Sequence, residues 1–580
     1  MQTATLKLLI NYIKPQKGRF FAMLVLAVLS VVFQIIIPIQ IGRAVNVLLG
    51  YHQVDFAEVS RQIFILVGLT LGAVLAQFGQ NELVNRLTYQ ISYQLRQNVF
   101  LKIQKLPLSY LDRHPYGDIV SRAINDVDLT SNGLLQTFTS LFTGLATIIG
   151  IVIIMLSLNW KIGLIVIILT PLSVIVSTII ANGTYRHFQN QVQLRGEMGA
   201  YIDEIANNQY LVKALAYQDR SQVRFDDINN RLHHSGVISQ FYGALINPTA
   251  RVLNALVYAA VGIYGALSVI NGQLSVGLYS SFLTYAHQYT QPFNEISAVV
   301  NEMQMALAAA HRIFDFLGQP EEKASPATAT ISQPHGDISI QNLYFSYVSD
   351  QKLIEDFSVQ VKAGDTVAIV GPTGAGKSTL INLLMRFYEP NAGQIFIDGI
   401  DSQDLSRDNV RSLFGMVLQD AWIFAGTVRD NIAYGNPEAS LDQIIAAAKQ
   451  ASLHRLIEQL PQGYDTWLEE EGANISTGQK QLICIARIIL TDPDMLILDE
   501  ATSSIDTVTE QAVQASFDQL MEGRTTFIVA HRLSTIQKAD TILVLDQGQV
   551  IEQGSHQELL DQGGFYHQLY YSQFDTDDKP

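Results

Sequence analysis

Eight consecutive residues, Gly371-Pro372-Thr373-Gly374-Ala375-Gly376-Lys377-Ser378, have the types and spacing needed to grip a chain of phosphates. They match the pattern G-x-x-x-x-G-K-[ST], follow the apolar run Thr366–Val370 and precede the helical pattern Thr379–Phe387. Glycines let successive backbone N–H groups turn toward phosphate oxygens, Lys377 can reach the β and γ oxygens, and Ser378 can ligate Mg²⁺. The N-terminus of the following helix adds a favourable dipole. The bare pattern recurs by chance, but a strand before it and a helix after it make it specific. These residues describe a site for ATP or GTP.

A second group completes the chemistry. Met495-Leu496-Ile497-Leu498-Asp499-Glu500 is an apolar strand that ends in two acids. In phosphate-loop enzymes the first acid holds Mg²⁺ and an acid directly after it can orient and deprotonate the attacking water. Asp499 is then the metal acid and Glu500 the base.

The elements that position these residues fall into two halves. From residue 336 onward, β-type runs (Ile338–Val348, Thr366–Val370, Gln394–Ile397, Met495–Leu498, Thr526–Val529, Thr541–Leu545) alternate with helical ones, as an α/β fold requires. Before residue 305 there are six apolar stretches, at about 20–42, 62–84, 137–159, 161–183, 249–271 and 276–300, each close to the ~20 residues that span a bilayer. The segments after the second and fourth stretches are rich in Lys and Arg, among them Arg86, Arg96, Lys102, Arg186, Arg195 and Lys213. The positive-inside rule places those segments and both termini in the cytoplasm. They keep helical periodicity over dozens of residues and read as spans that continue as helices beyond the membrane, with short tips at Tyr110–Gly117 and Leu211–Asp219. Between the halves, Gly318–Gly336 shifts to Gln, Pro, Ser, Ala and Thr, the composition of a linker. The expected layout is an α-helical transmembrane domain of six spans with long cytoplasmic extensions over 1–317, a linker over 318–335, and an α/β P-loop nucleotide-binding domain over 336–580.

Composition sets limits. Across 580 residues, 48% are hydrophobic, which suits a membrane half joined to a soluble one. A net charge of −16 with no evident basic face argues against nucleic acid as a partner. The one cysteine, Cys484, excludes an intrachain disulfide and a thiolate metal cluster, in keeping with a reducing cytosol. The first twenty residues show no compact apolar core with a cleavage site, and read as an interfacial helix entering span one.

The second half resembles the nucleotide-binding domain of ATP-binding-cassette (ABC) transporters. Asn474-Ile475-Ser476-Thr477-Gly478-Gln479-Lys480-Gln481 is similar to that family's signature sequence, and Glu469-Glu470-Glu471-Gly472 to the acidic loop that its exporters carry just before it. Six spans ahead of one such domain match the exporter half-transporter. The resemblance implies an ATP hydrolase coupled to transport, with ATP and Mg²⁺ as cofactors. It implies catalytic roles for Glu500, for the switch histidine His531, for the Q-loop Gln419 and for the D-loop Asp506. Nucleotide contacts are implied for Tyr347, stacked on adenine, for Gly371, Thr373, Gly374, Gly376, Lys377, Ser378 and Thr379, and, toward a partner's ATP, for Ser476, Gly478 and Gln479. Ser378, Gln419 and Asp499 are implied as the metal ligands. Two such domains meet head to tail, so one chain is half of the machine.

One position departs from the pattern. The family signature has two glycines after its serine, and here the first is Thr477. A β-branched side chain obstructs the close backbone approach that glycine permits. With Asp499, Glu500 and His531 intact, this combination resembles one subunit of the heterodimeric bacterial multidrug exporters, whose partner has a good signature and lacks the glutamate; a homodimer is the alternative.

Span six is too polar to face lipid all round. Tyr285, Gln288, Tyr289, Gln291 and Glu295 are expected to line a cavity, and a mixture of aromatics, amides and one acid suits amphipathic, often cationic molecules. The expected function is ATP-driven export of hydrophobic or amphipathic molecules across a prokaryotic plasma membrane, in contact with membrane lipid. A lipid flippase or exporter and an ATP-gated pore or regulator are the alternatives. Glu500→Gln should retain ATP binding and lose about 10²–10⁴-fold in steady-state hydrolysis, because shape is kept and the base is removed; near-normal turnover would take Glu500 out of that role.

Overall fold

The computed structural model describes residues 2–49, 54–322, 328–348, 353–418, 421–499, 507–529 and 533–574. Two compact units emerge: one of residues 1–104 with 115–320, the other of 105–114 with 321–580.

The described residues of the first unit form helices joined by short turns. Lys17–Leu48, Phe56–Lys105, Trp160–Asn207, Gln218–Ile270 and Val276–Leu317 run 32, 50, 48, 53 and 42 residues. At 1.5 Å per residue, a helix of about 50 residues reaches roughly 75 Å, more than twice the ~30 Å of hydrocarbon in a bilayer. Among the described residues, four helices are long and apolar enough to cross a membrane: Ala4–Leu48, Phe56–Lys105, Tyr116–Leu158 and Arg251–Ile270. The other two expected spans lie within Trp160–Asn207 and Val276–Leu317, where part of the side chains fall outside the description.

Local chemistry sets the tight turns between helices. Asn159 begins the helix Trp160–Asn207 by accepting the backbone N–H groups of Lys161 and Ile162 at 3.1 and 3.3 Å. Ser275 does the same for Val276–Leu317 through the Leu278 N–H at 3.1 Å. Deeper in the unit, Arg312 grips the nearly buried Asp126 through two nitrogens, a bidentate pair that holds the last helix against the Tyr116–Leu158 rod.

Spans one and six share a polar seam. Pro38 lies inside the helix Lys17–Leu48, where it removes one backbone donor. Hydroxyls from span six bond to carbonyls beside that break, Tyr285 to Ile35 O at 2.5 Å and Ser281 to Pro38 O at 2.7 Å. Asn46 accepts the Gly277 N–H at 2.7 Å and donates to Ser275 Oγ at 3.1 Å. The carbonyl that Pro38 leaves without its helical donor is that of Gln34, so these hydroxyls add bonds to neighbouring carbonyls around the break. The two backbones come so close that a Cβ on Gly277 would collide with the Gly42 carbonyl and crowd the Asn46 side chain.

Among the described residues the second unit has twelve strands: β1 Ile338–Phe345, β2 Ile354–Val361, β3 Thr366–Val370, β4 Ala392–Ile397, β5 Ile400–Asp401, β6 Phe414–Val417, β7 Gly426–Thr427, β8 Trp467–Leu468, β9 Met495–Asp499, β10 Thr525–Val529, β11 Thr541–Asp546 and β12 Gln549–Gly554. They form a sheet in the order β12-β11-β3-β10-β9-β6, a second in the order β2-β1-β4-β5, and the ribbon β7-β8. In the larger sheet β11, β3, β10, β9 and β6 are parallel and β12 is antiparallel. Strands covered on both faces need apolar residues at every position. Accordingly, Val367 and Ile369 of β3 enter one buried cluster while Ala368 and Val370 enter another. Ile369 pairs with Val529, and Val529 with Asp499, so the carboxyl ends of β3 and β9 are level with β10 between them.

Gly277→Val should destabilise the first unit by about 1–3 kcal/mol, the usual cost of overpacking, with ATP binding unchanged. A thermal midpoint in detergent equal to that of the parent would show that the seam does not hold the two helices.

Candidate functional site

At the carboxyl end of β3 the chain enters the phosphate loop and then the helix Lys377–Leu384. Gly374 and Gly376 have φ values of +86° and +99°, a left-handed region that side chains with a Cβ avoid. Gly371 is required for a different reason, since a Cβ there would collide with the Leu545 carbonyl of β11. The loop is therefore shaped by its own glycines and by a neighbouring strand.

Lys377 Nζ donates to the Gly371 and Pro372 carbonyls at 2.9 and 3.0 Å, which holds the ammonium over the loop. Burial pushes the Lys377 pKa below the ordinary lysine range, and the nearby Asp499 carboxylate opposes that shift. The level ends of β3 and β9 thus bring together a cation and an acid that are far apart in sequence. Ser378 is exposed on the first turn of the helix, and Thr373 and Gly374 are exposed in the loop. Among the described residues, no group of three or more His, Cys, Asp or Glu could hold a metal by itself. One hydroxyl and one carboxylate are a donor set suited to Mg²⁺, which draws its remaining ligands from phosphate and water.

Tyr347 lies in an aromatic group. Its ring meets those of Phe345 and Tyr388 edge to face, each with centroids 4.9 Å away. Its hydroxyl donates to the buried Thr379 Oγ1 at 3.3 Å and accepts from Asn382 Nδ2 at 3.1 Å, so it is tied to the phosphate-loop helix. Two residues of the segment 105–114 brace this group: Asp112 accepts the Tyr388 hydroxyl, and Arg113 donates to the Tyr347 carbonyl at 2.5 Å. Burial, reinforced by Asp112, raises the Tyr388 pKa well above its ordinary value. A cavity of about 540 Å³ opens beside Tyr347, with Arg113, Tyr344, Ile354, Glu355 and Asn391 in its wall.

The signature segment starts the helix Thr477–Thr491 with a reciprocal cap. Ser476 Oγ accepts the Gln479 N–H at 3.3 Å, and the Gln479 side chain accepts the Ser476 N–H at 3.0 Å. Ser476 and Thr477 are exposed at this N-terminus and Gly478 is buried. Before it, Asn474 fastens the acidic turn to β8, accepting the Glu469 N–H and donating to the Trp467 carbonyl. Further along the helix, the largely buried Arg487 donates to Asn431 O at 2.5 Å, to Asn431 Oδ1 at 2.7 Å and to Trp422 O at 2.5 Å, and lies against the rings of Trp422 and Tyr434. It fixes the signature helix to the segment 422–431.

Gln419, Glu500, Asp506 and His531 lie outside the described residues. Of the residues expected in a membrane cavity, Tyr285 and Tyr289 are buried in helix packing, Tyr285 through its bond to Ile35 and Tyr289 edge to face with Phe293. Gln288 is half-buried, while Gln291 and Glu295 are exposed and joined to each other at 2.9 Å. Arg487, Asn431, Asp112, Arg113 and Tyr388 were not anticipated. Only the adjacent aromatics Phe387 and Tyr388 offered a local hint, and the Tyr388 partner Asp112 is remote in sequence.

Residues 20–293 match the ABC transporter transmembrane region family, and residues 354–503 match the ABC transporter family. The fatty acid ABC transporter ATP-binding/permease protein of Mycobacterium tuberculosis is 40% identical over 89% of this chain and 82% of its own length. The ATP-dependent lipid A-core flippase of Chromobacterium violaceum is 35% identical over 88% of this chain and 87% of its own. A solved structure of a bacterial Atm1-family ABC exporter with ATP bound superposes with a TM-score of 0.78 at 29% identity, covering 98% of this chain and 99% of that one.

Lys377→Ala should weaken ATP binding by about 1.5–3 kcal/mol, about ten- to a hundredfold, through loss of a charged donor to phosphate. An unchanged affinity in a fluorescent-nucleotide titration would dissociate the loop from nucleotide binding.

Proposed function

Because the chain belongs to the ABC transporters, as a multi-pass exporter half-transporter that acts as a dimer and couples ATP hydrolysis to transport, we propose that it expels hydrophobic or amphipathic small molecules as the glutamate-bearing half of a heterodimer. The observation that carries the asymmetry is Thr477, exposed at the start of the signature helix, in a chain that keeps Asp499, Glu500 and His531.

In this reading the phosphates of ATP lie on the N–H groups of the loop 371–378 and on Lys377, and the adenine lies against Tyr347, whose adjoining cavity has room for a base and ribose. Ser378, Gln419 and Asp499 would hold Mg²⁺, which when bound offsets the negative charge of the phosphates. Glu500 takes a proton from a water whose oxygen attacks the γ-phosphorus; the bond from that phosphorus to the β–γ bridging oxygen breaks, and ADP and phosphate leave. His531 and Gln419 orient the attack, and Asp506 contributes from the D-loop at the dimer interface. The partner's intact signature supplies the opposing helix N-terminus for this site. Conversely, Ser476, Gly478 and Gln479 face the partner's loop, where Thr477 keeps the backbone from a close approach.

Closure of the two nucleotide-binding domains turns the membrane cavity from inward to outward facing. Gln288, Gln291 and Glu295 are the cargo contacts, with Tyr285 and Tyr289 behind them on the packed side. The Lys- and Arg-rich helical extensions support a cytoplasmic nucleotide-binding domain and cytoplasmic termini in a prokaryotic plasma membrane. A second reading, lipid-like cargo, is favoured by the names of relatives that act on fatty acids and lipid A.

The test is the ATPase rate of this chain purified alone, beside that of Thr477→Gly. With a partner lacking the glutamate, restoring glycine should raise the rate of the assembled dimer by less than about twofold, since the repaired site still has no base. Robust hydrolysis by the lone chain, increased several-fold by the substitution, would establish a homodimer instead.

A further inference from the structure

Span six ends at Leu317, and four residues later the chain enters the nucleotide-binding unit at Glu321. Glu322 is the first residue there with a dense set of partners. Its carboxylate meets Arg407 Nε at 3.2 Å and Arg411 at 3.1 Å, and its own N–H donates to the Lys105 carbonyl at 2.9 Å. Arg407 in turn pairs with Glu389 at 2.6 Å, and Glu389 with the buried Arg386 at 2.9 Å. A second fastening follows: Asn409 Oδ1 accepts the Ile331 N–H at 2.9 Å and its amide donates to the Ile331 carbonyl at 3.1 Å.

Three of the residues that hold the linker, Arg407, Asn409 and Arg411, belong to the short helix Arg407–Leu413, and Asp404 just before it accepts the Ala329 N–H at 3.2 Å. That helix touches the nucleotide-binding elements in two ways. Arg411 donates to the Met385 and Arg386 carbonyls at 3.4 and 3.1 Å and covers the Phe387 ring, so it secures the end of the phosphate-loop helix. The helix then runs directly into β6, whose last residue, Val417, comes two positions before Gln419. The Glu322 side chain is 27% exposed and that of Arg407 13%, so solvent screens this pair less than a surface one.

We propose that Glu322 is a positioning residue for transport: its carboxylate clamps the continuation of span six to the helix Arg407–Leu413, and through that helix to the phosphate-loop helix and β6. A shift of span six draws on Glu322, the two arginines carry it to Arg407–Leu413, and the same path runs in reverse when ATP changes the nucleotide unit. The clamp touches neither the loop 371–378 nor Asp499, so it acts on coupling and leaves the chemistry in place. It rests on the ATP-driven switching of the cavity proposed above, and the two ideas fail in different ways.

The test uses the full dimer in lipid nanodiscs. This chain carries Cys484→Ser and Gln288→Cys, so that the reporter is its one thiol, and labelling by a membrane-impermeant maleimide is read by mass on this chain. In the parent, ATP with vanadate should change the labelling rate. In Glu322→Gln that change should shrink by about fivefold or more, with basal hydrolysis within about twofold of the parent, and Glu322→Asp, which keeps the charge, should recover most of the response. A Glu322→Gln protein that responds to ATP like its parent overturns the clamp. So does one that has lost ATP binding, because Glu322 would then be a support of the fold and not a coupler. A parent whose labelling ignores ATP overturns the switching model together with the clamp.

Discussion

The opposition of Lys377 and Asp499 is the interaction on which the rest of the nucleotide-binding unit depends. A half-buried ammonium and a carboxylate are held close to each other at the ends of two parallel strands, with β10 between them. The carboxylate offsets part of the cost of burying the ammonium. That arrangement requires a sheet whose strands end level, and the level ends require apolar residues facing both ways along β3, β9 and β10. The two buried clusters on either side of the sheet are the consequence.

Around this pair, cations serve as rigid fasteners at several points. Arg487 ties the signature helix to the segment 422–431, Arg411 ties the phosphate-loop helix to Arg407–Leu413, and Arg113 bonds to the backbone at Tyr347. In each case a planar guanidinium bonds to backbone carbonyls, which fixes a main-chain position and not merely a side chain.

The membrane unit meets a different constraint. Its helices satisfy their own backbones, so little but close packing and a few polar bonds distinguishes one arrangement from another. The seam of Asn46, Ser275, Gly277, Ser281 and Tyr285 runs along span one from Ile35, beside Pro38, to Asn46. This explains why a span as polar as the sixth has part of its polarity spent on its neighbour. Gln288 is left half-buried, and Gln291 and Glu295 are left exposed.

The sequence by itself determined the two-part architecture, the phosphate-loop motif and the family, because each is written in contiguous residues. Loop 371–378 and strand 495–499 carry their geometry in local glycines and an apolar run, and the helices announce themselves by periodicity and length. Thr477 was equally plain, being one position in a fixed motif. Only the tertiary structure decided which residues brace those motifs. Glu322 with Arg411, Asp112 with Tyr388, and Arg487 with Asn431 are separated by 89, 276 and 56 positions, and no local pattern marks either member of a pair. It also decided that Tyr285 turns into the packing, since a tyrosine in a span can face a cavity or a neighbouring carbonyl, and here it bonds to the Ile35 carbonyl 250 residues away along the chain.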